Sequence, residues 1–333
     1  MRRAPYGRGF QVTATMTTAW FATDTARQIA ANIISFQAPN GGWSKHVDVT
    51  QHPRQKGESY FAESEKWQWI STLDNNSTTE QLRFLGLAYT AHANVEYRAA
   101  FLRGMEFLLN SQFPNGCWPQ IWPLEGSYHD AATFNDDATI SAASFLRDVA
   151  SGAYPFVAAS DRERARLATE RAIECLLDTQ TVVDGRLTVW GQQHDPITLR
   201  PTGARSYELA SLTAQESANI IRFLVRTPSP NARVSAAVHS AADWLKSTQI
   251  HGHTYSFEAG RKDVPGAGPL WARMYEIGTN RPIFSDRNGI KLYDWNQLVD
   301  RRTGYGWYTY APVLALRQYE NWARKHPRPG ISR

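Results

Sequence analysis

The 333-residue sequence is short of cysteine and of long apolar runs, and each shortage excludes a class of protein. Its two cysteines, Cys117 and Cys175, stand far apart in no metal-binding or redox spacing, so we expect no disulfide stapling. No window approaches the ~20 apolar residues that a membrane span needs, so we expect no membrane partner. A hydrophobic fraction of 42% with 20% charged residues is typical of a globular chain and excludes disorder.

Lysine is also scarce, since 7 of the 36 basic residues are Lys and 29 are Arg. The net charge of +5 indicates an anionic partner, and Arg binds carboxylate or phosphate through two parallel hydrogen bonds. An Arg-rich genome would give the same composition. We expect no nucleic-acid partner, because the sequence has no basic run and its Arg are scattered through aromatic turn segments.

The N-terminus begins with basic residues, as signal peptides do, but no continuous apolar stretch or small-residue cleavage site follows, so no clear signal peptide is visible. We predict an N-terminal arm over residues 1–22, unanchored over residues 1–10, a single domain over residues 23–325 and a flexible tail over residues 326–333. We expect a monomer by default.

A helix, a Gln, a glycine turn and a Trp recur along the chain. Asn40-Gly41-Gly42-Trp43 and Asn115-Gly116-Cys117-Trp118 are 75 positions apart (115 − 40), and a weaker third copy ends at Trp190. A fourth trace runs from Trp244 through Gln249 to Gly252. Because Gly and Pro end each helical pattern, these repeats predict a series of helical hairpins with only short β-hairpins between them.

Two acidic turns each precede a helical pattern. Asp74 lies in LDNNS, and Asp136 and Asp137 lie in FNDD, with 62 positions between Asp74 and Asp136 (136 − 74). We predict that Asp74 and Asp136 are equivalent in successive repeats and that their carboxylates meet. A lone Asp before a helix more often caps it, and Asp137 is either a further ligand or a first-turn carboxylate favoured by the helix dipole.

Arginines cluster with aromatic residues in the later turns. Each of six arginines lies close in sequence to at least one of six aromatic residues: Arg205, Arg273, Arg281, Arg287, Arg301 and Arg302, with Tyr207, Trp271, Tyr275, Phe284, Tyr305 and Trp307. An apolar ring face and a guanidinium group together suit an acidic sugar. Any single Arg or Trp in a turn is more often structural.

Several long motifs in order resemble the family 10 pectate lyases: GGWSKHVDV, LDNNSTTEQLRFL, NGCWPQIWPLEGSYHDAATFNDDA, WGQQHDPITLRPTGARSYELASLTAQES and YEIGTNRPIFSDRNG. The resemblance implies an all-α fold, an (α/α) toroid or barrel of helical hairpins with short β-hairpins and long functional loops. It also implies calcium-dependent β-elimination of polygalacturonate to 4,5-unsaturated oligogalacturonides, and a secreted or periplasmic location.

By the same resemblance Asp74 and Asp136 bind Ca²⁺, with Asp137 as a further candidate, and Arg205 is the Brønsted base. Substrate contacts are expected from Lys45, Asn75, Tyr128, His129, Arg273, Arg281 and Arg287. His129 is either a proton donor or a buried hydrogen-bonding partner.

An arginine base is unusual, because its solution pKa lies above 12. The role requires Arg205 to be desolvated among other cations such as calcium and Arg273, and it predicts an alkaline optimum. The chain departs from the family pattern at Ser44, Cys117 and Gly203. Gly203 stands where a Trp commonly precedes the Ala-Arg pair, and this change affects the expected preference for substrate chain length.

Two other functions fit the same residues. A metal-independent toroid glycoside hydrolase acting on uronic acids would use Asp74 and Asp136 or Asp137 as acid and base. A non-catalytic polyuronate-binding protein would bind the substrate without turning it over.

Overall fold

The computed structural model describes residues 2–7, 10–63 and 70–328. The fold is mainly helical, with short strands at the turns, as the sequence predicts. The chain divides into two compact units, Met1–Ala172 and Ile173–Arg333. Each unit is described separately below.

Within its described residues, the first unit contains five complete α-helices and most of a sixth. In order they are α1 (Thr18–Phe21), α2 (Asp24–Ser35), α3 (Thr79–Ala91), α4 (Val95–Ser111), α5 (Ala138–Ala150) and α6 (Ala159–Thr179). The strands of this unit are β1 (Ser71–Thr72), β2 (Ile121–Trp122) and β3 (Ala132–Thr133). β1 pairs with β2 in antiparallel register, Ser71 opposite Trp122.

Side-chain caps explain several helix starts in this unit, those of α1, α2 and α4. Thr23 caps α2, because its hydroxyl accepts a hydrogen bond from the backbone N–H of Ala26 at 3.3 Å. Thr78 precedes α3 but does not cap it. Its hydroxyl instead accepts a hydrogen bond from the backbone N–H of Trp43 at 3.0 Å and donates one to Thr72 O at 2.9 Å, so Thr78 ties the start of α3 to the first Trp turn.

The second unit contains α7 (Ala214–Leu224), α8 (Ala232–Ser247) and α9 (Ala311–Ala323), and α7 packs against both others. Its strands, each two to four residues long, are β4 (Val182–Val183), β5 (Arg186–Leu187), β6 (Gln193–His194), β7 (Pro201–Thr202), β8 (Leu212–Thr213), β9 (His253–Ser256), β10 (Gly260–Asp263), β11 (Trp271–Ala272), β12 (Met274–Tyr275), β13 (Phe284–Ser285), β14 (Lys291–Leu292) and β15 (Tyr308–Thr309). All the pairs formed within this unit are antiparallel: β4 with β5, β6 with β7, β8 with β12, β9 with β10, β11 with β15 and β13 with β14.

The repeated Trp turns share one hydrogen-bonding scheme. Trp43, Trp118 and Trp190 are almost fully buried, and each indole N–H donates to a carbonyl near the end of the preceding helix at 2.7–2.8 Å. The fourth copy is completed by Trp271, whose indole donates to Leu245 O at 2.7 Å. Trp271 lies 26 residues after Leu245, against 10 in the first two copies, because the β9–β10 hairpin is inserted there.

Two expectations about the chain ends and the cysteines are wrong. Residues 2–7 are anchored: the backbone N–H of Ala4 bonds Phe61 O at 3.0 Å, and isolated bridges join Arg2 to Glu58 and Tyr6 to Val47. Cys117 and Cys175 are disulfide-bonded, so neither is a free thiol.

The predicted flexible tail begins with ordered contacts. The His326 ring stacks on Trp322, and Arg328 Nη2 lies 2.6 Å from Asp243 Oδ1. The remainder of that segment, residues 329–333, lies outside the described residues. In the part of the chain that the structure describes, no helix combines the length and apolarity needed to cross a bilayer.

Candidate functional site

In the first unit, Asp74 lies at the centre of a buried polar cluster. It belongs to a 3₁₀ turn, Asp74–Asn76, that links β1 to α3, and only 5% of it is exposed. Lys45, which follows the first Trp turn, places its Nζ 2.6 Å from Asp74 Oδ2 and 3.5 Å from Glu63 Oε2. No side chain caps the start of α3, so Asp74 does not serve as the N-cap that a lone Asp before a helix more often is.

Asp74 and Asp136 meet, as predicted. Burial alone would raise the pKa of Asp74, but the Lys45 charge and hydrogen bonding with Lys45 and Asp136 hold it below its ordinary value. Two carboxylates in contact repel each other unless a proton or a cation is shared between them. The pair is thus a local excess of negative charge that one lysine partly offsets.

The predicted equivalence of Asp74 and Asp136 is wrong by one residue. Asn75 and Asp136 share a left-handed backbone, with φ values of 52° and 48°. Thr78 and Thr139 likewise bond the N–H of Trp43 and Trp118, which gives a repeat of 61 positions (139 − 78). The repeat equivalent of Asp74 is therefore Asn135, and the two carboxylates reach each other from non-equivalent places.

His129 and Tyr128 lie beside this cluster. The Nδ1 of His129 is 2.6 Å from Glu125 Oε1 and 2.8 Å from Ser127 Oγ. Burial lowers the pKa of His129 more than Glu125 raises it, so the ring is neutral at pH 7. The Tyr128 ring packs on His129 with centroids 3.9 Å apart. His129 is therefore a buried hydrogen-bonding partner in this structure, and Glu125 is a neighbour that the sequence reasoning missed.

The donor set around Asp74 suits a weakly held hard cation. Asp74 Oδ1 is buried and has no hydrogen-bond partner among the described residues, so one carboxylate oxygen is left for a ligand. No group of three or more His, Cys, Asp or Glu side chains in the described chain is arranged to hold a metal. Asp136 is exposed, and Asp137 precedes α5 without capping it. Asn75 is exposed on the same turn.

In the second unit, Arg205 is held by Glu208. Its Nε and Nη2 donate to the two carboxylate oxygens at 2.7 and 2.6 Å, and its backbone N–H bonds Oε2 at 3.2 Å. Hydrogen bonding to the Glu208 carboxylate raises the pKa of Arg205 and outweighs burial, which lowers it. The expectation that Arg205 is surrounded by cations is therefore wrong for this structure, because its direct partner is an anion.

Tyr305 connects Arg205 to Arg273. The Arg205 guanidinium lies 5.9 Å and the Arg273 guanidinium 4.9 Å from the Tyr305 ring centre. Arg273 Nη2 is 3.0 Å from Glu216 Oε1 at the start of α7. Arg301, absent from the predicted site residues, packs 4.2 Å from the centre of the Tyr207 ring.

Arg281 and Arg287 do not join this cluster. Arg281 is exposed and stacks 3.9 Å from the centre of the Tyr293 ring, beside the β13–β14 hairpin. Arg287 is also exposed, with Nη1 3.6 Å from Asp300 Oδ2. Their predicted role in substrate binding stays a prediction.

Sequence reasoning missed the anions that hold these arginines. Glu208 stands three residues after Arg205, a spacing at which an Arg-Glu pair meets in a tight turn, so that signal was present. Glu216 lies far from Arg273 in sequence, and only the pairing of β8 with β12 brings them together.

The family model described as pectic acid lyase matches residues 37–314. Among solved structures, a family 10 polysaccharide lyase from Cellvibrio cellulosa is 34% identical, covering 95% of this chain and 98% of that one with a TM-score of 0.80. A mutant of the Cellvibrio cellulosa enzyme in complex with trigalacturonic acid gives 33% identity, 95% and 99% coverage and a TM-score of 0.80. No curated protein matches the chain.

The family match and the structural likeness to the Cellvibrio cellulosa enzyme show that this mainly helical chain is a polysaccharide lyase. More narrowly, the chain belongs to the pectic acid lyase family.

Proposed function

We propose that this protein is a calcium-dependent pectate lyase that cleaves α-1,4-polygalacturonate by β-elimination to give 4,5-unsaturated oligogalacturonides. The observation that carries the proposal is the buried Asp74 carboxylate, which contacts Asp136 and keeps one oxygen without a hydrogen-bond partner in the described chain. The trigalacturonic acid complex of the Cellvibrio enzyme supports an anionic galacturonan as the substrate.

Asp74 and Asp136 would hold the calcium, with Asp137 as a further ligand. Carboxylate oxygens are the ligands that calcium prefers, and so few of them leave coordination positions for water and substrate. When bound, calcium would neutralise the substrate C6 carboxylate and so acidify the neighbouring C5 proton. The Lys45 ammonium group lies 2.6 Å from Asp74 Oδ2, and it would bind a substrate carboxylate near the same aspartate.

Arg205 would take the C5 proton. The C5–H electron pair then forms the C4–C5 double bond, the C4–O bond breaks, and the departing oxygen takes a proton from water. The neutral form of Arg205 is needed for this step, and the Glu208 pair stabilises the charged form. The proposal therefore predicts that activity rises steeply with pH under alkaline conditions.

The test is the ultraviolet absorbance of the 4,5-unsaturated product, measured with polygalacturonate, with calcium and then with chelator. We expect a calcium-dependent rise that Arg205→Ala reduces by about 10²–10⁴-fold, the usual contribution of a general base. Arg233→Ala is the matched control, because Arg233 forms exposed ion pairs with Glu174 and Asp178 away from the site residues. Reducing ends released without the absorbance would indicate a hydrolase, and no product would indicate a binding protein.

The two disulfide-bonded cysteines support a secreted or periplasmic location, because disulfides persist mainly in oxidising compartments. Fractionation of the producing cell tests this. Recovery of the protein from the cytoplasm with two free thiols would reject it.

A further inference from the structure

Two of the three nitrogens of the Arg205 guanidinium form hydrogen bonds with one carboxylate, and the third does not. Nε and Nη2 bond Glu208, whereas Nη1 has no hydrogen-bond partner among the described residues. The Arg205 side chain is 44% exposed and the Glu208 side chain 1% exposed. The fixed, buried partner is thus the carboxylate, and the exposed arginine is oriented by it.

Glu208 is itself held in place on several sides. The Tyr305 hydroxyl donates to Oε1 at 3.1 Å, and Gln192 Nε2 donates to that hydroxyl at 3.2 Å. The backbone turn is closed by Ala204 N–H to Glu208 O at 3.0 Å and Glu208 N–H to Arg205 O at 2.7 Å. Burial raises the pKa of Tyr305, so the phenol stays protonated as a donor.

We propose that Glu208 is a positioning residue for the reaction: its carboxylate fixes the Nε–Nη2 edge of Arg205, so that Nη1 is the nitrogen that meets the substrate. This inference rests on the proposed base role of Arg205. A guanidinium held at two points cannot rotate about its last bonds, and a side chain so exposed would otherwise adopt many rotamers.

The same contact affects the pH at which Arg205 acts. Burial would raise the pKa of Glu208, but Arg205 and Arg273 lower it, so Glu208 is ionised at every working pH. The other groups near Arg205 are Tyr207, with its ring 5.0 Å away, Tyr305, and Arg301 on the Tyr207 ring. Glu208 is therefore the anion that contacts Arg205 directly.

The first experiment separates kcat from KM. Glu208→Ala is expected to lower kcat about 100-fold, the scale of a misplaced catalytic group, while KM changes less than about threefold. Glu208→Gln keeps one acceptor oxygen, so its kcat should be intermediate. Glu174→Gln removes an exposed carboxylate partner of Arg233 in the same unit and should leave kcat unchanged.

The second experiment is the pH profile, which a purely structural role would not move. Glu208→Gln removes the negative charge that stabilises protonated Arg205, so the rising alkaline limb of kcat should shift to lower pH by about one unit. Tyr305→Phe keeps that charge and removes only the support of Glu208. It should lower kcat several-fold without shifting the limb.

The outcomes distinguish this inference from the proposed function. If Arg205→Ala keeps full lyase activity, the base assignment is wrong and the positioning role is wrong with it. If Arg205→Ala is inactive but folded Glu208 variants keep the original kcat and pH limb, only the positioning role is wrong. If the Glu208 variants do not fold, an unchanged kcat in Tyr305→Phe overturns it.

Discussion

Lys45 forms an ion pair with Asp74, the proposed metal ligand. Its Nζ lies 2.6 Å from Oδ2, and the side chains are 23% and 6% exposed. Burial lowers the pKa of Lys45, but Asp74 and Glu63 raise it more, so the ammonium stays charged. A cation bound to Asp74 must coexist with this ammonium or displace it, and either costs binding free energy.

Lys45→Met should therefore make stability depend on calcium. Without metal the buried Asp74 loses its counter-charge, which we expect to lower the free energy of unfolding by about 3 kcal/mol. Millimolar calcium should then raise the Tm of Lys45→Met more than that of the parent, since a ligand that binds only the folded state stabilises it. Thermal unfolding in chelator and in calcium measures both effects.

The control for Lys45→Met is Lys246→Met, which removes an exposed ammonium 3.8 Å from Glu320. It should change Tm little in either buffer, because exposed pairs contribute about 0–1 kcal/mol. An equal calcium shift in Lys45→Met and the parent would show that Lys45 and the cation do not compete.

His194 is neutral because it is buried and one of its ring nitrogens accepts a hydrogen bond. Its Nε2 accepts from the Gly191 N–H at 2.9 Å, so its Nδ1 donates to Leu199 O at 2.9 Å. Burial lowers its pKa to about 4. Protonation would place an N–H against the Gly191 N–H, and the folded state therefore resists it.

This geometry predicts a loss of stability in mild acid. The folded pKa lies below the unfolded value of about 6.5, so the unfolded state binds the proton first and stability falls as pH drops from about 6.5 to about 4, by up to about 3 kcal/mol. Urea unfolding at pH 7 and pH 5 measures the slope. His194→Gln should reduce the slope, whereas His52→Gln, at an exposed His, should not; equal slopes in all three proteins would contradict the prediction.

At the scale of elements, the first two Trp turns each contain a glycine that packs closely against a neighbouring helix, whereas a Cβ at Gly185 or Gly252 in the later copies would meet nothing within 4 Å. Gly116 has φ +90°, and a Cβ there would lie 2.0 Å from Arg171 O in α6. Gly126 has φ +86°, but a Cβ there would meet nothing within 4 Å. The two positions share the backbone strain and differ only in the close approach.

Gly116→Ala and Gly126→Ala therefore form a matched pair. Both should lose about 1 kcal/mol from the left-handed backbone, and Gly116→Ala should lose a further 1–3 kcal/mol, roughly, because α6 must move. Chemical denaturation of the two variants gives the difference directly. Equal losses would mean that α6 adjusts without cost.

The sequence predicts such elements well where the signal is local. Apolar spacing and Gly-Trp turns locate the helices and three of the four turns, because each repeat carries its own helix end, Gln and indole donor. The fourth indole, Trp271, was missed because an inserted hairpin separates it from its helix. The meeting of Asp74 with Asp136 followed from the repeats, but the shift of one residue depends on backbone angles that no composition signal reports.

Contacts between charged groups from distant segments were the least predictable part of the site. Lys45 on Asp74 and Glu216 on Arg273 join segments 29 and 57 residues apart, and side-chain pairing at that distance depends on the finished fold. The sequence therefore predicts Arg205 among other cations, whereas a buried carboxylate pairs with Arg205 and another with Arg273.

For the whole molecule, the net charge of +5 should favour encounter with a polyanion. Ions screen exposed charges over about 10 Å at 0.1 M salt and about 3 Å at 1 M. As the salt concentration rises from about 0.1 to 1 M, the exposed arginines, such as Arg281 and Arg287, lose their attraction for the substrate. Asp74, Lys45 and Glu208 are largely shielded from solvent, so salt screens their interactions less.

Kinetics in NaCl at a fixed calcium concentration should therefore show KM for polygalacturonate rising several-fold between about 0.1 and 1 M salt, with kcat nearly constant. The Arg281→Ala, Arg287→Ala double variant, which lacks two exposed cations, is the control and should show a smaller rise in KM. A fall in kcat with constant KM would instead place the salt-sensitive interaction at the buried carboxylates. Loss of the bound cation or of the Arg205 alignment would slow the chemical step without weakening the attraction between protein and substrate.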